Sequence, residues 1–292
     1  MGAIVLGADI GGTHITASLL DSDRAQIINN TNVRLHVDPR GTSAEITDTW
    51  CRAILMSWKQ GGIPHSPVGI AMPGPFDYDN GICLIKDQDK YRSLYKLDIR
   101  RILSEKLGIA PEYIRFMNDA CAFLSGEVYA GAVKNNMQSM GVTLGTGLGS
   151  TAFVNGRCID ADMWQLPFKE GIAEDYISSR WFMEKYEKLT SEKINGVQQI
   201  AEQYHTSPVI ASLFEEFGQN LAAFIIQMAE TFNGDTVVAG GNISKAAAYF
   251  IPAAHRHFQK YAPHLSIVIS SLGENAAILG AASIFSRKRQ AI

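Results

Sequence analysis

The sequence predicts an α/β protein built from two similar halves that face each other. Three observations carry that expectation. A strand–glycine turn–strand unit spans residues 3–20 around Gly11-Gly12 and returns over 139–154 around Gly145-Thr146-Gly147, and a repeated supersecondary unit signals a duplicated fold. Short apolar runs bounded by Gly and Pro alternate with longer segments of helical period. The chain has 292 residues, 46% hydrophobic and 19% charged, ample for a core in two domains of ordinary size or one large one.

The elements follow in order. Ala3–Ala8 is an apolar strand, and Ile15, Ala17 and Leu19 alternate with Thr16, Ser18 and Leu20 on the return strand. A third strand is expected near Ala25–Leu35. Thr42-Ser43-Ala44-Glu45 has capping-box spacing and opens a helix to about Trp58. Val68–Met72 reads as a buried strand stopped by Pro73-Gly74-Pro75. A helix near Asp98–Leu107 and a strand near Tyr113–Met117 lead to Asn118-Asp119, where a helix to about Tyr129 begins. The second unit has strands at Ser139–Leu144 and Ser150–Val154, then helices near Ala173–Lys188 and Leu213–Phe232. In the latter, Leu213, Phe217, Leu221, Phe224, Ile225 and Met228 share one stripe, the pattern of a core helix. A strand at Thr236–Ala239, the Gly240-Gly241 turn, a helix over Ser244–Gln259, a strand at Leu265–Ser270 and a helix over Ala276–Phe285 close the chain.

Composition excludes several classes. A net charge of −3 gives no field that gathers nucleic acid or anionic lipid. No run of about 18 apolar residues suggests a membrane span, and MGAIVLGADIGG lacks the basic n-region and cleavage site of a signal peptide. A cytoplasmic protein is expected, with no nucleic-acid or membrane partner. Cys51, Cys83, Cys121 and Cys158 are scattered with no CxxC, so neither a disulfide framework nor a structural zinc site is expected.

The glycine turns carry chemistry. Asp9-Ile10-Gly11-Gly12-Thr13 lies between two strands, whereas a dinucleotide or Walker loop opens a helix. Glycines in such a turn let backbone N–H groups approach an anion closely. Thr13 adds a hydroxyl, and Asp9 can hold magnesium through water. Gly145-Thr146-Gly147 offers the same chemistry in the second half; tight hairpins without a ligand are the alternative. Asn118-Asp119 ends a strand and starts a helix. An acid there either points into a ligand crevice as a general base or caps the helix, and local pattern does not choose between them.

Taken together, these residues resemble the ROK sugar kinases of the actin-like ATPase superfamily, which includes bacterial glucokinases. Asp9–Thr13 is similar to the first phosphate loop, Pro73-Gly74-Pro75 to the sugar-side loop, and Asn118-Asp119-Ala120 with Glu127 to the segment bearing the catalytic base. Gly145–Gly149 is similar to the second phosphate loop, Gly240-Gly241-Asn242 to the adenosine-side turn, and Gly273–Ala277 with Gly280-Ala281-Ala282 to the closing helix. The resemblance covers essentially the whole chain.

It implies a two-lobed actin-like (ribonuclease H-like) fold with an interlobe cleft: residues 1–117 as one lobe with 273–292 packing back on it, and 118–272 as the other. It implies ATP- and magnesium-dependent phosphorylation of a hexose, glucose or an N-acetylhexosamine, with Asp119 as base. Pro73, Gly74, Asn118, Asp162, Gln165 and Glu174 would bind the sugar. Asp9, Gly11, Gly12, Thr13, Gly145, Thr146, Gly147, Gly240, Gly241 and Asn242 would bind ATP. Domain closure would exclude water, and a homodimer is expected. A sugar-binding relative with weak or no kinase activity is the alternative. Regulator members carry an added N-terminal helix-turn-helix, which a first strand beginning near residue 3 does not suggest.

The chain departs from the family's Glu-x-Gly-His segment and its zinc cysteines. With Pro167 as anchor, Asp162 stands for the Glu and Gln165 for the His; another anchor shifts both. Glu174 then matches the closing Glu of the shortened insert. A shorter carboxylate at 162 leaves room beside the sugar ring, which implies relaxed selectivity. None of the seven histidines falls at an expected sugar contact, and His14 reads as structural or surface.

Overall fold

The computed structural model describes residues 3–136 and 138–286. Packing divides the chain into two compact units, Met1–Lys134 with Glu274–Ile292, and Asn135–Gly273.

The first unit holds β1 (Ile4–Ile10), β2 (His14–Asp21), β3 (Gln26–Ile27), β4 (Val33–His36), α1 (Ser43–Gln60), β5 (Val68–Met72), the β6–β7 hairpin (Phe76–Asp77, Ile82–Cys83), α2 (Ile99–Leu107), β8 (Ile114–Asn118) and α3 (Asp119–Ala130). Its sheet runs β3-β2-β1-β5-β8, with β4 also pairing β2. β1 is antiparallel to β2 and parallel to β5, which is parallel to β8. Thr42 caps α1 and Glu45 returns the bond, the capping box that the sequence spells. The expected single strand over 25–35 is two short ones, because the Thr31 hydroxyl donates to the Ile28 carbonyl and accepts from the Leu19 N–H, holding the chain in a turn between them. On β2, Ser18 and Leu20 are buried along with Ala17 and Leu19, so both faces of the strand are covered and strict alternation is lost.

The second unit repeats the pairing scheme. β9 (Met140–Leu144) and β10 (Leu148–Val154) form the hairpin, followed by β11 (Arg157–Asp160), the small β12–β13 hairpin (Pro167–Phe168, Gly171–Ile172), α4 (Ala173–Tyr176), α5 (Ser179–Thr190), α6 (Val197–Ala201), α7 (Pro208–Phe232), β14 (Thr236–Gly240), α8 (Ala247–Tyr261) and β15 (Ser266–Ile269). The sheet order is β11-β10-β9-β14-β15, with β14 parallel to both β9 and β15. Each unit therefore places a hairpin strand and two parallel strands around its first strand. The helix expected over 173–188 breaks in two, because the Ser178 hydroxyl caps a fresh helix at Trp181. The helix expected from Ser244 starts after a 3-10 turn over Asn242–Ala246. α7 is long and apolar enough to cross a bilayer by length and composition. Its Phe214, Phe217, Leu221 and Phe224 instead fill the unit's core.

α9 (Asn275–Ser283) belongs to the first unit, packing on α3, β1 and β5. Residues 287–292 of the expected closing segment lie outside the described residues. The division falls after residue 134 rather than after 117, because α3 is docked backbone to backbone on α9. A Cβ on Gly126 would sit 2.0 Å from the Ala276 carbonyl oxygen, and one on Gly280 would sit 1.8 Å from that of Ala122. The obstacle is backbone, which has no rotamer to give. Gly280→Ala should therefore cost at or above the top of the usual overpacking range, about 3 kcal/mol. Denaturant melts that agree with wild type within error would contradict this packing.

Candidate active site

In the first unit the carboxyl ends of three parallel strands lie side by side: Asp9 of β1 pairs with Ala71 of β5, and Met72 of β5 with Asn118 of β8. Ligands of open α/β sheets bind at such ends. Asp9, Pro73-Gly74 and Asn118-Asp119 all emerge here. In the turn after β1, the Gly11 N–H donates to the His14 carbonyl at 2.9 Å. The N–H groups of Gly12 and Thr13 make no turn or loop bond among the described residues. A Cβ added at Gly12 would meet nothing within 4 Å, and its φ is not left-handed. Neither a left-handed φ nor packing within the protein requires glycine there, so the turn leaves open space above its backbone. The Thr13 hydroxyl lies 2.8 Å from His14 Nδ1, whose ring meets His36 edge-on.

Both side chains of Asn118-Asp119 meet the first turn of α3, and Asp119 does so through one oxygen only, its Oδ1 accepting from the Ala120 N–H at 2.8 Å. Asn118 is the cap: its Oδ1 accepts from the N–H groups of Ala120 at 2.9 Å and Cys121 at 3.1 Å. Its amide donates to the Tyr78 hydroxyl, which donates to the Met72 carbonyl. Asp119 occupies the first helical position, where the N-terminal dipole favours a carboxylate. Burial, and next the Asp119 charge, push Asp9 up to about 6, with Arg34 acting in the opposite sense. Glu127, fully buried, accepts from the Ala132 N–H and closes the end of α3.

The segment before the first 3-10 turn was not legible as functional. The Tyr91 hydroxyl donates to the Gly11 carbonyl at 2.6 Å, and the Gln88 amide donates to that of Gly74 at 3.0 Å. One short segment thus braces the first glycine turn and the Pro73-Gly74 loop.

In the second unit, Gly145 N–H donates to the Gly147 carbonyl within the turn, and the Gly145 carbonyl accepts from Ser179 N–H at the start of α5. A Cβ at Gly145 would also meet nothing within 4 Å. Gly145, Thr146 and Ser179 open into a cavity of about 670 Å³, within the size range of small-molecule sites. Val197, Ala201, Ile243 and Tyr249 give it an apolar wall; Gln198, Glu202, Asn242 and Lys245 add polar groups. Tyr249 is stacked on Tyr204 at 4.2 Å between centroids. Only Asn242 of the Gly240-Gly241-Asn242 set lines this cavity. Gly241, at φ +89, lies against the Leu144 backbone, and Gly240 is buried at the end of β14. Most of the wall comes from α6 with its flanking residues and from the 3-10 turn before α8, whose cavity role no local motif announces.

Three expected sugar residues lie elsewhere in this unit. Asp162 is exposed, with a left-handed backbone, and its carboxylate accepts from the Trp164 indole N–H at 2.7 Å. Gln165 is exposed in the same 3-10 turn. Glu174 turns toward the glycine turn: its Oε2 accepts from the Leu148 N–H at 2.9 Å, and its Oε1 pairs with Arg180 at 3.1 Å.

The family model described as "ROK family" matches residues 5–162 and 169–288. A glucokinase of Thermotoga maritima is 24% identical, over 97% of this chain and 98% of its own length. An N-acetyl-D-glucosamine kinase of Vibrio cholerae is 24% identical over 94% and 97%. The crystal structure of a ROK family glucokinase from Streptomyces griseus, in complex with glucose and AMPPNP, superposes with a TM-score of 0.75 at 22% identity, covering 98% of this chain and 100% of that one. The expected α/β fold is thereby shown.

Proposed function

Because the chain belongs to the ROK family, we propose that it transfers the γ-phosphoryl group of ATP to a hydroxyl of a hexose, either glucose or an N-acetylhexosamine. The observation that carries this reading is the position of Asp119, just past the carboxyl end of β8 and close enough to Asp9 for its charge to raise the Asp9 carboxyl. Asn118 Oδ1 caps the helix and Asp119 Oδ1 shares the Ala120 N–H at 2.8 Å, which leaves Asp119 Oδ2 for chemistry beside Asp9. Asp119 takes the proton of the attacking hydroxyl as its oxygen bonds to the γ-phosphorus and the bond to the ADP oxygen breaks. The open N–H groups of the Gly12 and Gly145 turns receive phosphate oxygens. The second unit's cavity takes the nucleoside, with Tyr249 and Ile243 against its base. Pro73, Gly74 and the Asn118 amide face the sugar.

Magnesium fits Asp9. A carboxylate pushed up to about 6 by burial and a second carboxylate lacks a full counter-charge. Among the described residues no group of three or more ligating side chains gathers, and magnesium characteristically uses one or two carboxylates plus substrate phosphates. Asp9 would hold the ion through water, and the ion, when bound, neutralises charge on the phosphates.

ADP release measured over a panel of hexoses and N-acetylhexosamines tests the reading. The alternative, a sugar-binding relative with weak or no transfer, is favoured by the exposed, indole-bonded Asp162; sugar binding by calorimetry without ADP release would establish it. A sharper check is Gly12→Ala. Since the methyl enters empty space, Tm should hold within about 2 °C. Nucleotide affinity should fall by about tenfold or more, the worth of one charge-assisted bond.

A further inference from the structure

We propose that Tyr91 is a positioning residue for the first glycine turn: its hydroxyl clamps the Gly11 carbonyl and thereby fixes the Gly12 N–H in the orientation that receives a phosphate oxygen. The proposal rests on the kinase reading for the identity of the phosphate ligand.

The geometry of one peptide unit carries it. The Gly11 carbonyl and the Gly12 N–H belong to the same rigid plane and point in opposite directions. The Tyr91 hydroxyl donates to that carbonyl at 2.6 Å, and Tyr91 is fully buried. The carbonyl is therefore drawn toward the interior, and the N–H of exposed Gly12 points away from it. Space above Gly12 is open, and its N–H makes no turn or loop bond among the described residues. Nothing local would otherwise hold this plane. With glycine on both sides, no Cβ opposes its turning over, and a turned plane would present the carbonyl oxygen to the anion.

The clamp is itself held firmly. Tyr91 has a left-handed backbone, φ +57, which is unusual for a bulky side chain and persists only where the surroundings over-determine it. Its N–H donates to the Pro39 carbonyl at 2.7 Å, its carbonyl accepts from the Leu94 N–H at 3.0 Å, and its ring meets Trp50 of α1 edge-on at 5.5 Å. Three residues earlier, the Gln88 carbonyl accepts from Arg92 Nε at 2.7 Å, which ties the two ends of the segment together. Burial pushes the Tyr91 phenol above the usual tyrosine range, with Trp50 acting in the opposite sense and the Asp9 charge in the same one. The group thus stays protonated and keeps donating.

The test compares wild type with Tyr91→Phe, Gly12→Ala and the double variant. Its readouts are calorimetric binding of a non-hydrolysable ATP analogue with magnesium and binding of adenosine, which has no phosphates. Tyr91→Phe removes one oxygen and keeps the ring against Trp50. It should weaken the analogue by about tenfold, the scale of one hydrogen bond to a charged group. Adenosine should bind within about twofold of wild type, below that scale; this arm also reports that the variant is folded. Because both substitutions act on the Gly12 N–H, their losses should not multiply. The double variant should bind the analogue within about twofold of Gly12→Ala alone. Wild-type affinity for the analogue in Tyr91→Phe would overturn the proposal. So would equal losses for analogue and adenosine, which would mean that Tyr91 serves the fold, or losses that multiply in the double variant, which would mean that it acts elsewhere. Failure of the wild type to phosphorylate any sugar would overturn the kinase reading alone, because the phosphate-dependent loss and its non-additivity still decide the role of Tyr91.

Discussion

Asp119→Asn should lower kcat by at least about 10²-fold, the usual scale for a lost general base, at saturating ATP and sugar. Asparagine keeps the shape and one acceptor oxygen but cannot take the proton of the attacking hydroxyl, so KM for sugar should change little. Misfolding is not a competing explanation, because α3 keeps its cap: Asn118 Oδ1 receives both the Ala120 and Cys121 N–H groups. The variant loses a helix-dipole interaction of about 0.3–1 kcal/mol. It also loses the repulsion that Asp119 exerts on Asp9, and the two effects oppose each other. Steady-state kinetics paired with a thermal melt gives the check. A variant that turns over near the wild-type rate would show that Asp119 serves the helix and not the reaction.

Much of this arrangement was legible because its signals are local. The Thr42–Glu45 capping box, the all-apolar β5 and the Asn118 cap each depend on residues within four positions of one another. The duplication was legible because hairpin pairing is local too. What was missed depends on partners far along the chain. Leu148 and Glu174 are 26 positions apart, and Tyr91 reaches Gly11 across 80. The pocket wall joins α6 to the 3-10 turn before α8, and α6 has only five residues, too few to show a period. The boundary at 117 failed for a related reason. The segment's end was visible, but the docking of α3 on α9 through Gly126 and Gly280 was not. Resemblance assigned Glu174 to the end of the insert but carries no information on which way its carboxylate turns. Asp162 and Gln165 were placed by analogy to a Glu and a His, and the 3-10 turn that exposes them has no local cap to announce it.

Asp9→Asn should stabilise the protein at neutral pH while removing most of its activity. The ordinary aspartate value is 3.8 and the folded value about 6, raised by burial and then by the Asp119 charge. A folded carboxyl with a raised value binds its proton more tightly than the unfolded chain does. Its contribution to stability is therefore fully present below about pH 4 and is lost as pH rises through about 6. The difference corresponds to about 3 kcal/mol at most. Asparagine has no proton to lose, so the variant escapes this loss. Melts at pH 4 and pH 8 should show the two proteins nearly alike at the lower pH and the variant higher, by several degrees, at the upper one. The same substitution removes the only carboxylate at the end of β1 that could hold a magnesium ion beside the phosphates. Turnover should fall by about 10²-fold or more, since such charge stabilisation is worth several kcal/mol. A pH-independent offset in stability would mean that Asp9 carries no buried charge in the folded state. Stability that rises as activity falls, and only where the carboxylate is ionised, marks a charge kept at Asp9 for the reaction rather than for the fold.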